Sequence, residues 1–338
     1  MLFTCFLGAP SLLLKLLNIQ KLNPFLLLLF VGLVTHFGFA CKETSSDPVP
    51  VIDKSPSSPS PQEPNNEEEL NERKRRGTPR GEVADDEVDS KPSKPSKPSK
   101  QSNLAIKTES NKGPGRAFTV FRPEKKGDYP VLFWGNATMA PGGVYASLHE
   151  YVSKHGFVVV AGASMATGEG QEMIKGIRWI TAEGSDYDDY VDKDQIGVFG
   201  HSQGAATSVV VAAKFPNRVK AMVSIQPDCN FWVQACTKSN VSADSLIIAG
   251  GNDPLVPHGT VKSKVYDNAT GYSVFAKVEG LDHISWMMKG SDVFGKAIVA
   301  WFEGSLKGIE SSKKALSPDG CRGSVCKDTG YRWTITGK

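Results

Sequence analysis

Gln195-Ile196-Gly197-Val198-Phe199-Gly200-His201-Ser202-Gln203-Gly204-Ala205-Ala206-Thr207-Ser208-Val209-Val210-Val211-Ala212-Ala213-Lys214 reads as a strand, a tight turn and a helix. Gln195–Phe199 is a short apolar run of strand length, and Ala205–Lys214 has the composition of a buried helix. Between them stands Gly-x-Ser-x-Gly, with Gly200 and Gly204 on either side of Ser202. A serine on such a turn must take a backbone conformation that L-residues disfavour, which lifts its Oγ above the sheet. Glycines on either side let strand and helix approach closely. The first N–H groups of the helix face the same point, where they can meet developing negative charge. The stretch therefore predicts an exposed, activated serine at the end of a central strand.

Working outward, the chain alternates strands and helices. Phe118–Phe121, Val131–Trp134 and Phe157–Ala161 precede the turn as apolar runs, and Val219–Ile225, Ser245–Ala249 and Tyr272–Val278 follow it. Helical stretches are expected over Val144–Lys154, Glu172–Ala182, Thr260–Tyr266 and Val293–Leu306. In the second of these, Met173, Ile174, Ile177 and Ile180 share one side. Alternation of this kind predicts an α/β domain with a mostly parallel central sheet flanked by helices. Its connections are too short for a large lid.

A serine hydroxyl is a weak nucleophile. An imidazole must take its proton, and a carboxylate must fix the imidazole's tautomer. In the chain order serine, acid, histidine, the acid is expected after strand Ser245–Ala249, where Asp253 stands in Gly250-Gly251-Asn252-Asp253-Pro254. The base is expected after Tyr272–Val278, at His283. Asp228, after Val219–Ile225, is the rival acid. His258 is expected to start a helix, His201 to pack inside the elbow, and Asp282 to be a turn carboxylate. The oxyanion needs two backbone N–H donors, expected from Gln203 and from the loop after Val131–Trp134, with Asn136 first and Ala137 beside it.

With those residues placed, Val131 to about Leu306 resembles the chlorophyllase, cutinase and polyester-hydrolase branch of the α/β-hydrolases. The resemblance is carried by Phe133-Trp134-Gly135-Asn136, by Ser153-Lys154-His155-Gly156-Phe157-Val158-Val159-Val160, by the elbow, by Gly251-Asn252-Asp253-Pro254-Leu255-Val256-Pro257 and by His283. It implies the α/β-hydrolase fold and a serine carboxylic-ester hydrolase that needs neither metal nor cofactor, acting on small-molecule or polymeric esters. Two departures limit it. Gln203 stands where polyester hydrolases usually carry methionine, and Gln226-Pro227-Asp228-Cys229-Asn230-Phe231-Trp232 does not match their substrate-stacking tryptophan segment.

The rest of the 338-residue chain is organised around that domain. Residues 1–40 read as a signal peptide, with Lys15 and Lys21 before the apolar run Pro24–Val34. Gly38-Phe39-Ala40 before Cys41 resembles a lipoprotein signal, which would make Cys41 the lipidated residue of a protein in the bacterial cell envelope. Ordinary secretory cleavage at the same bond is the alternative. Residues 41–112, with Lys91-Pro92-Ser93 repeating through Lys100 and charged runs such as Arg73-Lys74-Arg75-Arg76, are expected to be a disordered tether. The catalytic domain is expected over 113–310 and a C-terminal tail over 311–338. Cys229, Cys236, Cys321 and Cys326 predict two disulfides in an exported domain, local pairing being the simplest of three pairings. His149 and His155 are six apart, and a metal-binding helix needs i and i+4, so no metal site is expected. With 39 basic and 36 acidic residues the charge is too balanced for nucleic acid. A monomer is expected. A catalytically silent surface protein of the same fold, binding an extracellular ligand, is the alternative function.

Overall fold

A computed structural model describes residues 103–338, apart from 292, 318–320, 322–323 and 328. The signal peptide, Cys41 and nearly all of the expected tether lie outside the described residues.

Among the described residues nine strands form one sheet, in the order β1-β2-β4-β3-β5-β6-β7-β8-β9. They are β1 (Ile106–Lys112), β2 (Phe118–Pro123), β3 (Tyr129–Gly135), β4 (Val158–Gly162), β5 (Val191–His201), β6 (Val219–Ile225), β7 (Asp244–Gly250), β8 (Ser273–Glu279) and β9 (Arg332–Gly337). The block β4-β3-β5-β6-β7-β8 is parallel throughout. Antiparallel strands finish it on both sides: β2 on β4, β1 on β2, and β9 on β8. Among the described residues the α-helices are α1 (Ala146–Lys154), α2 (Gln171–Ile180), α3 (Gln203–Lys214), α4 (His258–Val261), α5 (Gly295–Leu306), α6 (Glu310–Lys314) and α7 (Ser324–Lys327).

Successive residues of a strand point to opposite faces, so the continuous apolar runs bury both faces of the sheet. Leu132 and Trp134 of β3 join Leu148 and Val152 of α1 and Ile298, Trp301 and Phe302 of α5 on one face. Val131 and Phe133 join Ile174 and Ile177 of α2 and Val209, Val210 and Val211 of α3 on the other. Val160, Val198 and Ile247 extend this second layer across the sheet. The stripe Met173, Ile174, Ile177, Ile180 of α2 is buried, as its spacing predicts.

Two boundaries move. The domain does not start at 113: β1 lies inside the stretch read as tether, and its register runs Ile106↔Pro123 to Lys112↔Phe118. Nor is 311–338 a tail outside the fold. It supplies α7 and β9, and β9 pairs with β8 from Val274↔Gly337 to Glu279↔Arg332. Both are edge strands with one wet side, so neither carries the continuous apolar signature of the central strands. The architecture is that of the α/β-hydrolase fold.

Candidate active site

Between β3 and β5 the order of the sheet reverses, because the chain leaves β3 outward to β4 and returns to place β5 on the other side. Crevices at such switch points, beyond the carboxyl ends of parallel strands, are where open α/β sheets hold ligands. Ser202 follows β5, and the loop that starts at Asn136 follows β3.

Ser202 sits at φ 54°, ψ −116°, the disfavoured conformation that the turn demands. Its N–H donates to Ile225 O, and its carbonyl accepts from Asp228 N–H, which ties the turn to the end of β6. The two glycines permit this. A Cβ on Gly200 would lie 2.4 Å from Gly204 O, and one on Gly204 would lie 2.0 Å from Gly135 O. The first turn of α3 is thereby pressed against the end of β3, and the expected amide donors, Gln203 and Asn136, come from these two touching segments.

Three of the predicted residues meet. Ser202 Oγ lies 2.9 Å from His283 Nε2, and His283 Nδ1 lies 2.7 Å from Asp253 Oδ2. All three are buried to within a few per cent of their surface. The carboxylate accepts a hydrogen bond from Nδ1–H, which leaves Nε2 to accept from the serine O–H. Asp253 does cap the turn after β7, its Oδ1 accepting from Leu255 and Val256 N–H, while its other oxygen faces the imidazole. The rival Asp228 is turned elsewhere, its Oδ1 accepting from Asn230 and Phe231 N–H. Asp282 caps the turn after His283 through Ile284 and Ser285 N–H. His258 opens α4.

Around this trio the packing is specific. His201 lies under His283, ring centroids 4.9 Å apart, and against Trp286, also 4.9 Å. Its Nδ1 is hydrogen-bonded to the Tyr145 hydroxyl at 2.9 Å. Burial, and then the neighbouring His283, hold the His201 imidazole well below its ordinary proton affinity, so it stays neutral beneath the trio. Asn136 is buried and its side chain is a rivet: Oδ1 accepts from Trp134 Nε1–H, and Nδ2 donates to Gly162 O and Ser164 O. Gln203 extends its Oε1 to the N–H of Thr167, in the loop after β4, at 2.8 Å.

One residue at the site carries no motif signal. Gln226, at the end of β6, is buried, with φ 50°. Its Nε2 donates to Asp253 Oδ2 at 2.8 Å and to Asp282 O at 2.9 Å, and its Oε1 accepts from Trp286 Nε1–H at 3.0 Å. Only its place immediately after a central strand hints at a role.

Large apolar side chains are exposed at this end of the sheet. Met139, Met165, Phe231, Trp232, Leu255 and Met288 are the exposed large apolar side chains among the described residues. They stand on the loops that follow β3, β4, β6, β7 and β8, all at the Ser202 end of the sheet. Phe231, 75% exposed, and Trp232 lie inside the loop closed by the Cys229–Cys236 disulfide. Cys321–Cys326 forms the second bridge, so both pairings are local. Among the described residues no three His, Cys, Asp or Glu side chains are grouped to hold a metal ion. His149 is buried among aromatic rings, and His155 turns its Nδ1 to Tyr151 O.

The sequence model of the PET hydrolase-like family matches residues 141–315, more than half of the chain. That span holds Ser202, Asp253 and His283 and leaves out β1 to β3 and β9. No curated protein matches.

Proposed function

Because the chain belongs to the PET hydrolase-like family, and is thus an ester hydrolase of the α/β-hydrolase type, we propose that it is a serine carboxylesterase working through a Ser202–His283–Asp253 triad. The observation that carries this reading is the unbroken chain of 2.9 and 2.7 Å contacts from Ser202 Oγ through His283 to Asp253. In the proposed cycle Ser202 Oγ attacks the acyl carbonyl carbon as its proton passes to His283 Nε2. Asp253 stabilises the imidazolium so formed. The N–H groups of Gln203 and Asn136 hold the oxyanion in water-poor surroundings, where such donors are worth most. The tetrahedral intermediate collapses, the C–O bond to the alcohol breaks, and Nε2 gives its proton to the leaving alkoxide. Water, deprotonated by Nε2, then attacks the acyl-enzyme, and the carboxylic acid leaves as Ser202 recovers its proton.

The apolar side chains exposed at the Ser202 end of the sheet support esters with apolar acyl or polymer chains as the substrate class. The exposed Phe231, Trp232 and Met288 are positions where an apolar substrate would displace water. Export, and anchoring through a lipid on Cys41, belong to the same proposal and rest on the leader sequence. An unmodified Cys41 in the mature protein, read by mass, would remove the anchor.

The test is hydrolysis of p-nitrophenyl esters from acetate to palmitate by the full chain, beside Ser202→Ala. Turnover lost by about 10³-fold or more in the variant is expected. A folded wild-type protein that neither turns over any ester nor reacts with a fluorophosphonate at Ser202 would leave a silent binding protein of the same fold as the reading.

A further inference from the structure

Resting on the serine-esterase reading, we propose that Gln226 is a positioning residue: it locks Asp253 and the loop of His283 into one arrangement and draws charge from the carboxylate oxygen that faces the imidazole. Three bonds of its side-chain amide carry the argument. The first, Nε2 to Asp253 Oδ2 at 2.8 Å, shares the very oxygen that His283 Nδ1 contacts at 2.7 Å. The second, Nε2 to Asp282 O at 2.9 Å, holds the carbonyl of the peptide that leads into His283. The third, Trp286 Nε1–H to Oε1 at 3.0 Å, fixes the indole on which His201 rests. One side chain on the β6 end thus spans the loops after β7 and β8, which deliver the acid and the base.

The backbone supports the same role. Gln226 N–H donates to Ile248 O at 2.7 Å, and the residue holds φ 50°, a left-handed conformation that non-glycine residues rarely adopt. Such strain persists only where surrounding contacts over-determine it. A residue needed only to fill space there would not require two amide hydrogens aimed at the acid and at the base's own loop.

The physical consequence follows from the balance of donors on Asp253. Oδ1 is saturated by two backbone N–H groups, and Oδ2 is shared between Gln226 and His283. A hydrogen bond to an ionised group favours its charge and lowers its hold on a proton. Without Gln226, Oδ2 would hold the imidazolium more tightly, and His283 would stay protonated, hence inactive as a base, to higher pH. The other charged or titratable groups facing His283 do not offset this. Asp282 spends its carboxylate on Ile284 and Ser285 N–H, and His201, from the end of β5, is kept neutral by burial and engaged by Tyr145.

The experiment compares the full-length wild type with Gln226→Met, which keeps length and loses the amide, and with Gln226→Glu, which keeps shape and places a second carboxyl beside Oδ2. The readouts are kcat, KM and the pH profile of kcat/KM for p-nitrophenyl butyrate, together with the pH dependence of fluorophosphonate labelling. In Gln226→Met, kcat falls about tenfold or more while KM stays within about twofold. The acid limb of both profiles moves up by about half to one pH unit, and further in Gln226→Glu. Should the methionine variant fail to fold, the isosteric glutamate variant carries the test. Variants that melt earlier yet keep the wild-type acid limb would reduce Gln226 to a structural residue and overturn the proposal. A folded wild type that neither turns over nor labels would overturn the esterase reading and this one with it.

Discussion

Gly204→Ala tests how the site is assembled. A Cβ at this position would stand 2.0 Å from Gly135 O, 2.2 Å from Gly135 C and 2.7 Å from Asn136 O. Ordinary contact starts at 3.4 Å, so the end of β3 and the start of α3 must part by about 1.4 Å. The obstructing atoms are backbone in the centre of the parallel sheet, where no rotamer change can give way. Overpacking of this kind costs about 1–3 kcal/mol, and at about 2–4 °C per kcal/mol for a domain of this size the melting temperature falls by roughly 3–10 °C. The same separation pulls the Gln203 amide from the Asn136 loop. Misplacement on the order of 1 Å costs about 10²-fold in rate, so kcat for p-nitrophenyl butyrate falls by that order in protein still folded. The control is Gly259→Ala, where the added Cβ meets nothing within 4 Å. It is expected to match wild type within about 0.5 kcal/mol. Thermal unfolding by circular dichroism, with kcat on the same samples, decides. A Gly204→Ala protein with the melting temperature and kcat of the control would refute the close approach of strand and helix.

Two further predictions follow from buried groups and from the bridges. Burial holds the His149 imidazole at a pKa of about 3, against an ordinary 6.5, with neither ring nitrogen hydrogen-bonded. Between these values the unfolded chain binds a proton that the folded one refuses, so this residue makes stability fall as pH drops below about 6.5, by about 1.4 kcal/mol per unit. His149→Leu is therefore expected to lose stability on acidification less steeply than wild type, with no such difference above that range; parallel urea midpoints at pH values on both sides of 6.5 check it, and identical acid slopes would contradict it. Opening the Cys229–Cys236 bridge, by Cys229→Ala with Cys236→Ala, is expected to cost about 2 kcal/mol by loop-closure entropy. Equilibrium unfolding of the variant measures it, and a cost near zero would mean that the loop is held by its packing instead.

What could be read from the chain divides along a physical line. β3 to β8 are buried on both faces, and their apolar runs announce themselves. Ser202, Asp253 and His283 were legible because each falls directly after one of these strands, where the sheet's geometry fixes the start of the next loop. Ile106-Lys107-Thr108-Glu109-Ser110-Asn111-Lys112 was not legible as β1. Most of its side chains face water, so it has the composition of the tether before it. In β9, Trp333 and Ile335 alternate with polar residues and pack on the core, a faint period-two signal over six residues. Gln226 was invisible for another reason. Its partners are 27, 56 and 60 residues away, and no spacing rule relates them. The sequence put Asp253 first and kept Asp228 as a rival, since both follow a strand; in the structure it is Asp253 Oδ2 that lies 2.7 Å from His283 Nδ1.

The pairing of β9 with β8 also bears on how the molecule behaves among copies of itself. Val274, Phe275, Ala276 and Val278 of β8 are buried, and residue 338 still exchanges backbone bonds with Ser273. Remove the last strand and β8 offers a bare row of N–H and C=O groups flanked by apolar side chains, a template on which other chains can add. The strand that does cover it bears Arg332 and threonines on its outward side, a poor surface for further growth. A shortened chain ending near residue 310 would keep every residue of the proposed triad and yet expose a nucleus for aggregation. β9 thus covers the edge of β8 at a distance from the chemistry, and the loop bearing His283 hangs from the strand it shields.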